Sequence, residues 1–196
     1  MKIVGLTGGS GVGKSAAGAE FIACGCGVLD ADASYYALCR SCQPMLDEIR
    51  SVFGDVCFTD SNLDRKKLGA VVFADPDKLA QLNAITHPYI QQAARDTFRV
   101  WERLGKPLCV YDAPLLFEAG MDALCDATVA IVADRETRIQ RIMARDGIPR
   151  DYAELRIAAQ HSDDWYRERC DFLLVNNGDL AALRAQIHLV IDTLLG

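Results

Sequence analysis

The chain has 196 residues, of which 51% are apolar and 24% charged. This composition is typical of one globular domain and excludes a disordered or fibrous chain. With 21 Lys and Arg against 27 Asp and Glu, the net charge of -6 argues against a general binder of nucleic acids or anionic membranes. A basic pocket on an acidic body can still bind an anionic small molecule.

Targeting and redox signals point to the cytoplasm. No apolar run approaches the roughly 18 residues of a transmembrane helix, and the apolar N-terminal stretch is too short for a signal peptide. The eight cysteines are expected to be free thiols in a reducing compartment. Cys39 and Cys42 have C-x-x-C spacing, but no second pair or paired histidine completes a zinc set, so filling small core spaces is the simpler interpretation.

Apolar segments that alternate with helical patterns predict an α/β fold with a five-stranded parallel sheet. Continuous apolar strands indicate a sheet covered by helices on both faces. A helix is predicted over residues 15–23, directly after the first strand and a Gly-rich loop. The predicted strands are Lys2–Thr7, Gly27–Asp30, Leu108–Asp112, Ala127–Val132 and Phe172–Val175.

The long stretch between the second and third strands is predicted to be a helical insertion that holds a second substrate. Four apolar side chains repeat at spacings of four, four and three and share a helix face: Ile90, Ala94, Phe98 and Trp101. Pro88 suits the first turn of that helix, with Thr86 or His87 near its cap.

We therefore predict a single domain with three parts. The core comprises residues 1–32, 105–140 and 170–196, and the helical insertion covers about 33–104. Residues of about 141–169 are rich in Arg and Asp and poor in large apolar side chains, which is typical of a solvated, mobile lid.

Residues 8–15, Gly-Gly-Ser-Gly-Val-Gly-Lys-Ser, match the phosphate-binding pattern G-x-x-x-x-G-K-[ST] completely. The pattern follows a predicted strand and opens a predicted helix, a context that disfavours a Gly-rich turn with a chance lysine. The predicted α/β fold is therefore of the P-loop NTPase type, with a five-stranded parallel sheet. Backbone N–H groups surround the phosphates, Lys14 reaches the β- and γ-phosphates, and the Ser15 hydroxyl coordinates Mg²⁺. The predicted nucleotide contacts in this loop are Gly9, Ser10, Gly11, Val12, Gly13, Lys14, Ser15 and Ala16.

Other classes of phosphate-loop protein lack support. The chain contains no N-K-x-D guanine motif and no L-S-G-G-Q signature, and it is short for a motor or helicase. A compact core, a helical insertion and an Arg-rich lid indicate a small-molecule kinase.

Blocks along nearly the whole chain resemble the dephospho-coenzyme A kinase family. The most distinctive block is D-x-P-L-L-F-E at residues 112–118. Two residues depart from the family pattern: Ala16 replaces a hydroxyl residue, and Tyr36 stands where the family often has Arg or His. The other matching blocks are residues 5–9, 28–32, 63–65, 85–88, 141–145, 156–160 and 176–178.

The resemblance implies transfer of the γ-phosphoryl group of ATP, with Mg²⁺, to the 3′-hydroxyl of the ribose of dephospho-coenzyme A. Such a transfer depends on positioning and charge stabilisation, and a carboxylate helps by accepting the hydroxyl proton. Asp32, at the carboxyl edge of the sheet, is the candidate base, with Asp30 as second choice. The alternative for Asp32 is an N-cap of a helix that starts near Ala33.

Further roles concern the phosphates. Asp112 ends an apolar strand and is expected to orient Mg²⁺-bound water or the acceptor. Arg141 and Arg145 share a helix face and can clamp triphosphate oxygens. Arg138 fits best as part of a solvated face with Glu136.

The remaining candidates concern adenine and the acceptor. Asn176 and Asn177 follow the last strand, where they either hold adenine or form a simple turn. The candidate acceptor-binding residues, besides Asp32, are Arg65, His87, Leu115 and Glu118. A solvated helix face is the alternative for Arg65, and a structural or surface role for His87. Two other functions stay open: another small-molecule, nucleoside or nucleotide kinase, or a non-catalytic nucleotide-binding module.

Overall fold

The computed structural model describes residues 1–196 and confirms the α/β class. All five predicted strands form one parallel sheet with the order β2-β5-β1-β6-β7, and β3 and β4 form a separate antiparallel hairpin. The strands are β1 (Lys2–Thr7), β2 (Gly27–Asp30), β3 (Phe58–Thr59), β4 (Asn62–Leu63), β5 (Leu108–Asp112), β6 (Ala127–Val132) and β7 (Phe172–Val175).

Nine α-helices accompany the strands, and none is long and apolar enough to cross a membrane. The chain divides into two compact units, one of residues 1–29 and 98–196 and the other of residues 30–97. The helices are α1 (Lys14–Ala23), α2 (Ala31–Ser41), α3 (Gln43–Phe53), α4 (Arg65–Val72), α5 (Pro76–Arg103), α6 (Arg135–Asp146), α7 (Arg150–Ala158), α8 (Asp163–Arg169) and α9 (Leu180–Leu195).

The first unit is organised around β1, which lies between β5 and β6. Val4 and Leu6 of β1 are fully buried, and Phe21 of α1 and Ile187 of α9 belong to the same apolar cluster. A central strand buried on both faces has to be apolar along its length, which explains why β1 was recognisable from sequence. Its carboxyl end leads directly into residues 8–15.

The second unit has its own core. Helices α2 to α4, the hairpin of β3 and β4 and the first part of α5 contribute to it. Met45 and Ile49 of α3 and Leu68 and Val72 of α4 are its most deeply buried aliphatic side chains. The amphipathic α3 therefore exists because one apolar stripe is covered by its neighbours.

The predicted helix start at Pro88 is wrong. Helix α5 runs without interruption from Pro76 to Arg103, with Pro88 inside it. The start signal is instead Asp75, whose carboxylate accepts hydrogen bonds from the backbone N–H of Asp77 at 3.0 Å and Lys78 at 3.3 Å, followed by proline at the first helical position. Burial of the apolar face on both sides of Pro88 outweighs the one backbone hydrogen bond that proline cannot make.

Candidate active site

The phosphate loop joins β1 to α1 with backbone dihedrals that favour glycine. Gly11 has φ 79° and Gly13 has φ 97°, both in the left-handed region. A Cβ atom on Gly11 would lie 2.7 Å from the Arg138 carbonyl oxygen, so this position has no room for a side chain. No side chain caps the N-terminus of α1, and its partial positive charge faces the space above the loop.

Lys14, the first residue of α1, forms an ion pair with Asp112, the last residue of β5. The Nζ to Oδ1 distance is 2.5 Å, and the two side chains are 16% and 14% exposed. Asp112 is in register with Leu6 of β1, and the Ala113 N–H donates to the Leu6 carbonyl oxygen at 2.9 Å. Adjacent parallel strands therefore bring two predicted site residues together.

Arg138 is a structural part of the loop, and its assignment to a solvated face is wrong. Arg138 is only 5% exposed, and its Nε donates to the Ser10 carbonyl oxygen at 3.0 Å. Its Nη2 donates at 2.7 Å to Gln160 Oε1, which also accepts the Ser10 N–H at 2.9 Å. Burial lowers the pKa of the guanidinium, and the charge of Asp163 opposes that effect. Arg138 and Gln160 together hold the outer turn of the loop.

Arg141 lies one turn further along α6 and also contacts the loop. Its Nη1 donates to the carbonyl oxygens of Gly11 at 3.2 Å and Asn176 at 2.9 Å. Asn176 is 2% exposed, and its Nδ2 donates to the Val12 carbonyl oxygen at 2.8 Å. Arg141 and Asn176 thus tie the loop to the segment after β7.

Arg145 is placed differently from Arg141, although both are on α6. Its guanidinium pairs with the neighbouring Asp146 at 2.7 Å and is 59% exposed, whereas Arg156 of α7 pairs with the same carboxylate. Hydrogen bonds from Arg145 and Arg156 lower the pKa of Asp146 to about 2, and Arg145 has its own pKa raised by Asp146.

A cavity of about 330 Å³ opens above the loop. Its lining combines glycine backbone with two cations from α6, a hydroxyl and the loop lysine, which is the surface that a polyphosphate needs. The lining residues are Gly9, Gly11, Gly13, Lys14, Ser15, Arg141 and Arg145.

Leu115 and Glu118, two candidates from the block at residues 112–118, have different surroundings. Leu115 is 64% exposed. Glu118 Oε1 lies 2.7 Å from Nε2 of His161, and the His161 ring stacks on Trp165 with centroids 3.7 Å apart. His161 therefore connects Glu118 to α8. Asn177, which is exposed, accepts the Asp134 N–H with its Oδ1 at 2.9 Å.

In the second unit, Asp30 rather than Asp32 caps α2. The Asp30 carboxylate accepts the Ala33 N–H at 2.9 Å, so the alternative that Asp32 is the N-cap is wrong. The reason is that α2 begins at Ala31, two residues before the expected start. Asp32 is exposed in the first turn, where a carboxylate also favours the helix dipole.

The other two acceptor-binding candidates of the second unit, Arg65 and His87, lie in different surroundings. The Arg65 guanidinium lies 3.6 Å from the centroid of the Tyr36 ring, so the residue that departs from the family pattern stacks on a candidate binding residue. His87 is half-buried in α5, and burial lowers its pKa. How these residues contribute to acceptor binding stays a prediction.

Sequence reasoning missed the contacts that hold the phosphate loop from outside. Gln160 received no role, Arg138 received the wrong one, and Asn176 was considered only for adenine or a turn. A usable signal existed for Arg138, since it precedes Arg141 by three residues and shares its helix face. Nothing in the local sequence indicates that Gln160 reaches Ser10, because the two are 150 residues apart.

The sequence of this chain is similar to those of known phosphate-loop kinases. The family model described as "Dephospho-CoA kinase" (CoaE) matches residues 2–182. A dephospho-CoA kinase of Anaeromyxobacter dehalogenans is 42% identical over 197 residues, covering 100% of this chain and 93% of the relative.

Solved structures show the same fold. A Thermus thermophilus protein superimposes with a TM-score of 0.82 at 34% identity, covering 100% of this chain and 98% of that chain. A dephospho-CoA kinase from Campylobacter jejuni gives a TM-score of 0.61 at 23% identity, covering 98% and 96% of the two chains, which supports the fold alone.

Proposed function

Since the chain belongs to the dephospho-CoA kinase family, we propose that it transfers the γ-phosphoryl group of ATP to the 3′-hydroxyl of the ribose of dephospho-coenzyme A. The products are coenzyme A and ADP. The observation that carries the phosphoryl-transfer part is the complete phosphate loop beneath a cavity with three cationic side chains, Lys14, Arg141 and Arg145. The identity of the acceptor rests on the family.

The triphosphate is bound by the loop and by α6. Backbone N–H groups of residues 9–16 and the N-terminus of α1 receive the phosphate oxygens, and Lys14 turns from Asp112 toward the β- and γ-phosphates. Arg141 and Arg145 face the same cavity and are suited to the charge that spreads over the transferred group. Backbone groups near Asn176 and Asn177 are proposed to receive adenine.

Mg²⁺ fits the donors present. The Ser15 hydroxyl lines the cavity, and the Asp112 carboxylate, 14% exposed, lies beside Lys14. Hard oxygen donors of this kind suit Mg²⁺. When bound, the ion neutralises charge on the phosphates.

Acceptor activation is assigned to Asp32. Its exposed carboxylate is available to take the proton of the 3′-hydroxyl, whereas the Asp30 carboxylate is used as the cap of α2. Arg65 is proposed to contact the diphosphate of the acceptor, with its guanidinium oriented by the Tyr36 ring. His87, Leu115 and Glu118 are further candidates for acceptor contacts.

A cytoplasmic location is part of the proposal. It is supported by the eight cysteines, all of which are free thiols, as expected in a reducing compartment.

The deciding experiment measures ADP formation from ATP and Mg²⁺ with and without dephospho-coenzyme A, and locates the new phosphate by NMR. We expect acceptor-dependent turnover and a 3′-phosphate. The same assay with nucleosides, nucleotides and small alcohols tests the alternative of another small-molecule kinase. Absence of turnover with every acceptor, although ATP binds, would identify a non-catalytic nucleotide-binding module.

A further inference from the structure

A cluster of three side chains with metal-ligand chemistry lies between α1 and α9, in the first unit. Glu20 lies in the last turn of α1, Cys24 is the C-cap residue directly after that helix, and His188 faces them from α9. Glu20 Oε1 lies 3.2 Å from His188 Nε2, and Cys24 Sγ lies 3.4 Å from the same nitrogen. The three ligand atoms are all within 4.8 Å of one another.

These separations are close to the edges of a zinc coordination tetrahedron. With Zn–S of about 2.3 Å and Zn–N and Zn–O of about 2.0–2.2 Å, tetrahedral angles place sulfur and nitrogen about 3.6 Å apart and nitrogen and oxygen about 3.4 Å apart. The observed 3.4 Å and 3.2 Å differ from these values by about 0.2 Å. The third pair, the Cys24 sulfur and a Glu20 carboxylate oxygen, lies within 4.8 Å.

The surroundings of the cluster fix the orientation of one of its ligands, the Glu20 carboxylate. Arg184 of α9 donates from Nε to Glu20 Oε2 at 2.8 Å, which leaves Oε1 on the side of His188. A hydrogen bond of this kind orients a ligating carboxylate.

The cluster is separate from the proposed active site. None of its residues lines the cavity above the phosphate loop. Glu20 is 14% exposed and His188 is 56% exposed, so an ion can enter from solvent while the carboxylate stays largely covered.

We propose that Glu20, Cys24 and His188 form a zinc site that ties α1 to α9, with a water molecule as fourth ligand. A thiolate, an imidazole and a carboxylate form a mixed ligand set that Zn²⁺ accepts and that Mg²⁺ does not. On binding, the Cys24 S–H bond breaks, a sulfur–zinc bond forms, and the proton passes to the buffer. No electron is transferred. Because α1 begins at the loop lysine, the ion would stabilise the helix that carries the phosphate loop.

The test uses the full chain without an affinity tag, in the absence of nucleotide, with Zn²⁺ and Co²⁺ as probes. We expect one Zn²⁺ per chain by calorimetry, a rise in the melting temperature, and a thiolate-to-cobalt charge-transfer band with Co²⁺. Cys24→Ser should abolish that band. His188→Gln, an exposed change that does not threaten folding, should weaken Zn²⁺ binding by at least about 10–100-fold, the loss that even outer-shell changes cause.

Cys26→Ser is the matched control, since Cys26 is a buried thiol two residues away and outside the cluster. It should leave Zn²⁺ affinity and the cobalt band unchanged. The proposal is overturned if Zn²⁺ does not bind, if binding is equally strong in His188→Gln, or if the cobalt band persists in Cys24→Ser. These outcomes are independent of kinase activity.

Discussion

The ammonium group of Lys14 lies 2.5 Å from Asp112 Oδ1, and fewer than one fifth of either side chain is exposed. The ion pair joins the helix after the phosphate loop to the end of the neighbouring strand. It compensates two opposite charges that would otherwise be desolvated alone at the base of the cavity. In the proposed reaction the phosphates would compete with Asp112 for the lysine, and the Asp112 carboxylate would then be free to hold Mg²⁺.

Replacing Lys14 by Ala should lower kcat by roughly 10²–10³-fold or more, because the lysine stabilises charge that develops on the transferred phosphoryl group. The fold should persist, which circular dichroism checks. Lys14→Arg is the matched control for charge: it keeps the cation but changes its shape, so partial activity is expected. Near-normal turnover of Lys14→Ala would remove the phosphate-loop assignment.

Arg138→Met should destabilise the protein by about 2–3 kcal/mol, because it removes hydrogen bonds from a charged donor to Ser10 and Gln160 in a buried position. ATP affinity should also fall, since the phosphate loop loses the hydrogen bond that holds the Ser10 carbonyl group. Urea denaturation and ATP titration measure both effects. The control is Arg135→Met on the exposed part of the same helix, paired only with Glu154 at 3.4 Å, for which we expect little change. Equal stability of the two variants would contradict the role of Arg138.

Arg141 and Arg145 should differ when they are replaced singly by Ala. Arg141→Ala should lower both stability and turnover, because its guanidinium holds Gly11 and Asn176 as well as facing the cavity. Arg145→Ala should lower turnover with little change in melting temperature, because the guanidinium itself is 59% exposed and Asp146 keeps its ion pair with Arg156. Steady-state kinetics and thermal melting test the pair. A loss of dephospho-coenzyme A affinity equal to the loss of kcat would instead place them at the acceptor.

Substitutions of the two aspartates at the start of α2 should distinguish the helix cap, Asp30, from the proposed catalytic base, Asp32. Asp32→Asn should slow single-turnover phosphoryl transfer by roughly 10²–10⁴-fold, because the amide cannot accept a proton, and should leave melting unchanged. Asp30→Asn should be nearly silent in both measurements, since Asn is also a good N-cap. Asp30→Ala should lower the melting temperature by about 2–4 °C without slowing transfer. If Asp30→Asn alone slows transfer, the base is Asp30.

Acid should lower the free energy of unfolding by protonating two carboxylates that form ion pairs in the α6–α7 region, Glu136 and Asp146. Hydrogen bonds from Arg150 lower the pKa of Glu136 from 4.5 to about 2, and those from Arg145 and Arg156 lower that of Asp146 from 3.8 to about 2. Because both values are depressed in the folded state, their stabilisation is present above the unfolded values and is lost as pH falls from about 4.5 to about 2.

The double variant Glu136→Gln/Asp146→Asn should therefore show a shallower fall in unfolding free energy across that pH window than the wild type. Urea denaturation at successive pH values measures the slope. Glu168→Gln, which changes an exposed carboxylate paired with Arg169 at 3.6 Å, is the control. Identical slopes for the double variant and the wild type would show that these ion pairs are screened by solvent.

Local sequence determined the sheet and the phosphate loop. Buried parallel strands are continuous apolar runs, so all five were delimited correctly, and residues 8–15 carry their own backbone requirements. Signals of this kind are contained within a few neighbouring residues. A local signal was misleading at α5, where Pro88 was predicted to lie in the first turn. The helix begins instead at Pro76 after the cap Asp75, and Pro88 lies inside it.

Only the tertiary structure decided which side chains hold the loop and which are available to substrates. Arg138 and Arg141 look alike in sequence, yet one is buried against Ser10 and the other bridges Gly11 to Asn176. Hydrogen bonds between residues more than 100 positions apart leave no periodicity that a sequence window can detect. The same holds for the Glu20, Cys24 and His188 cluster, because its ligands meet only when α9 packs on α1.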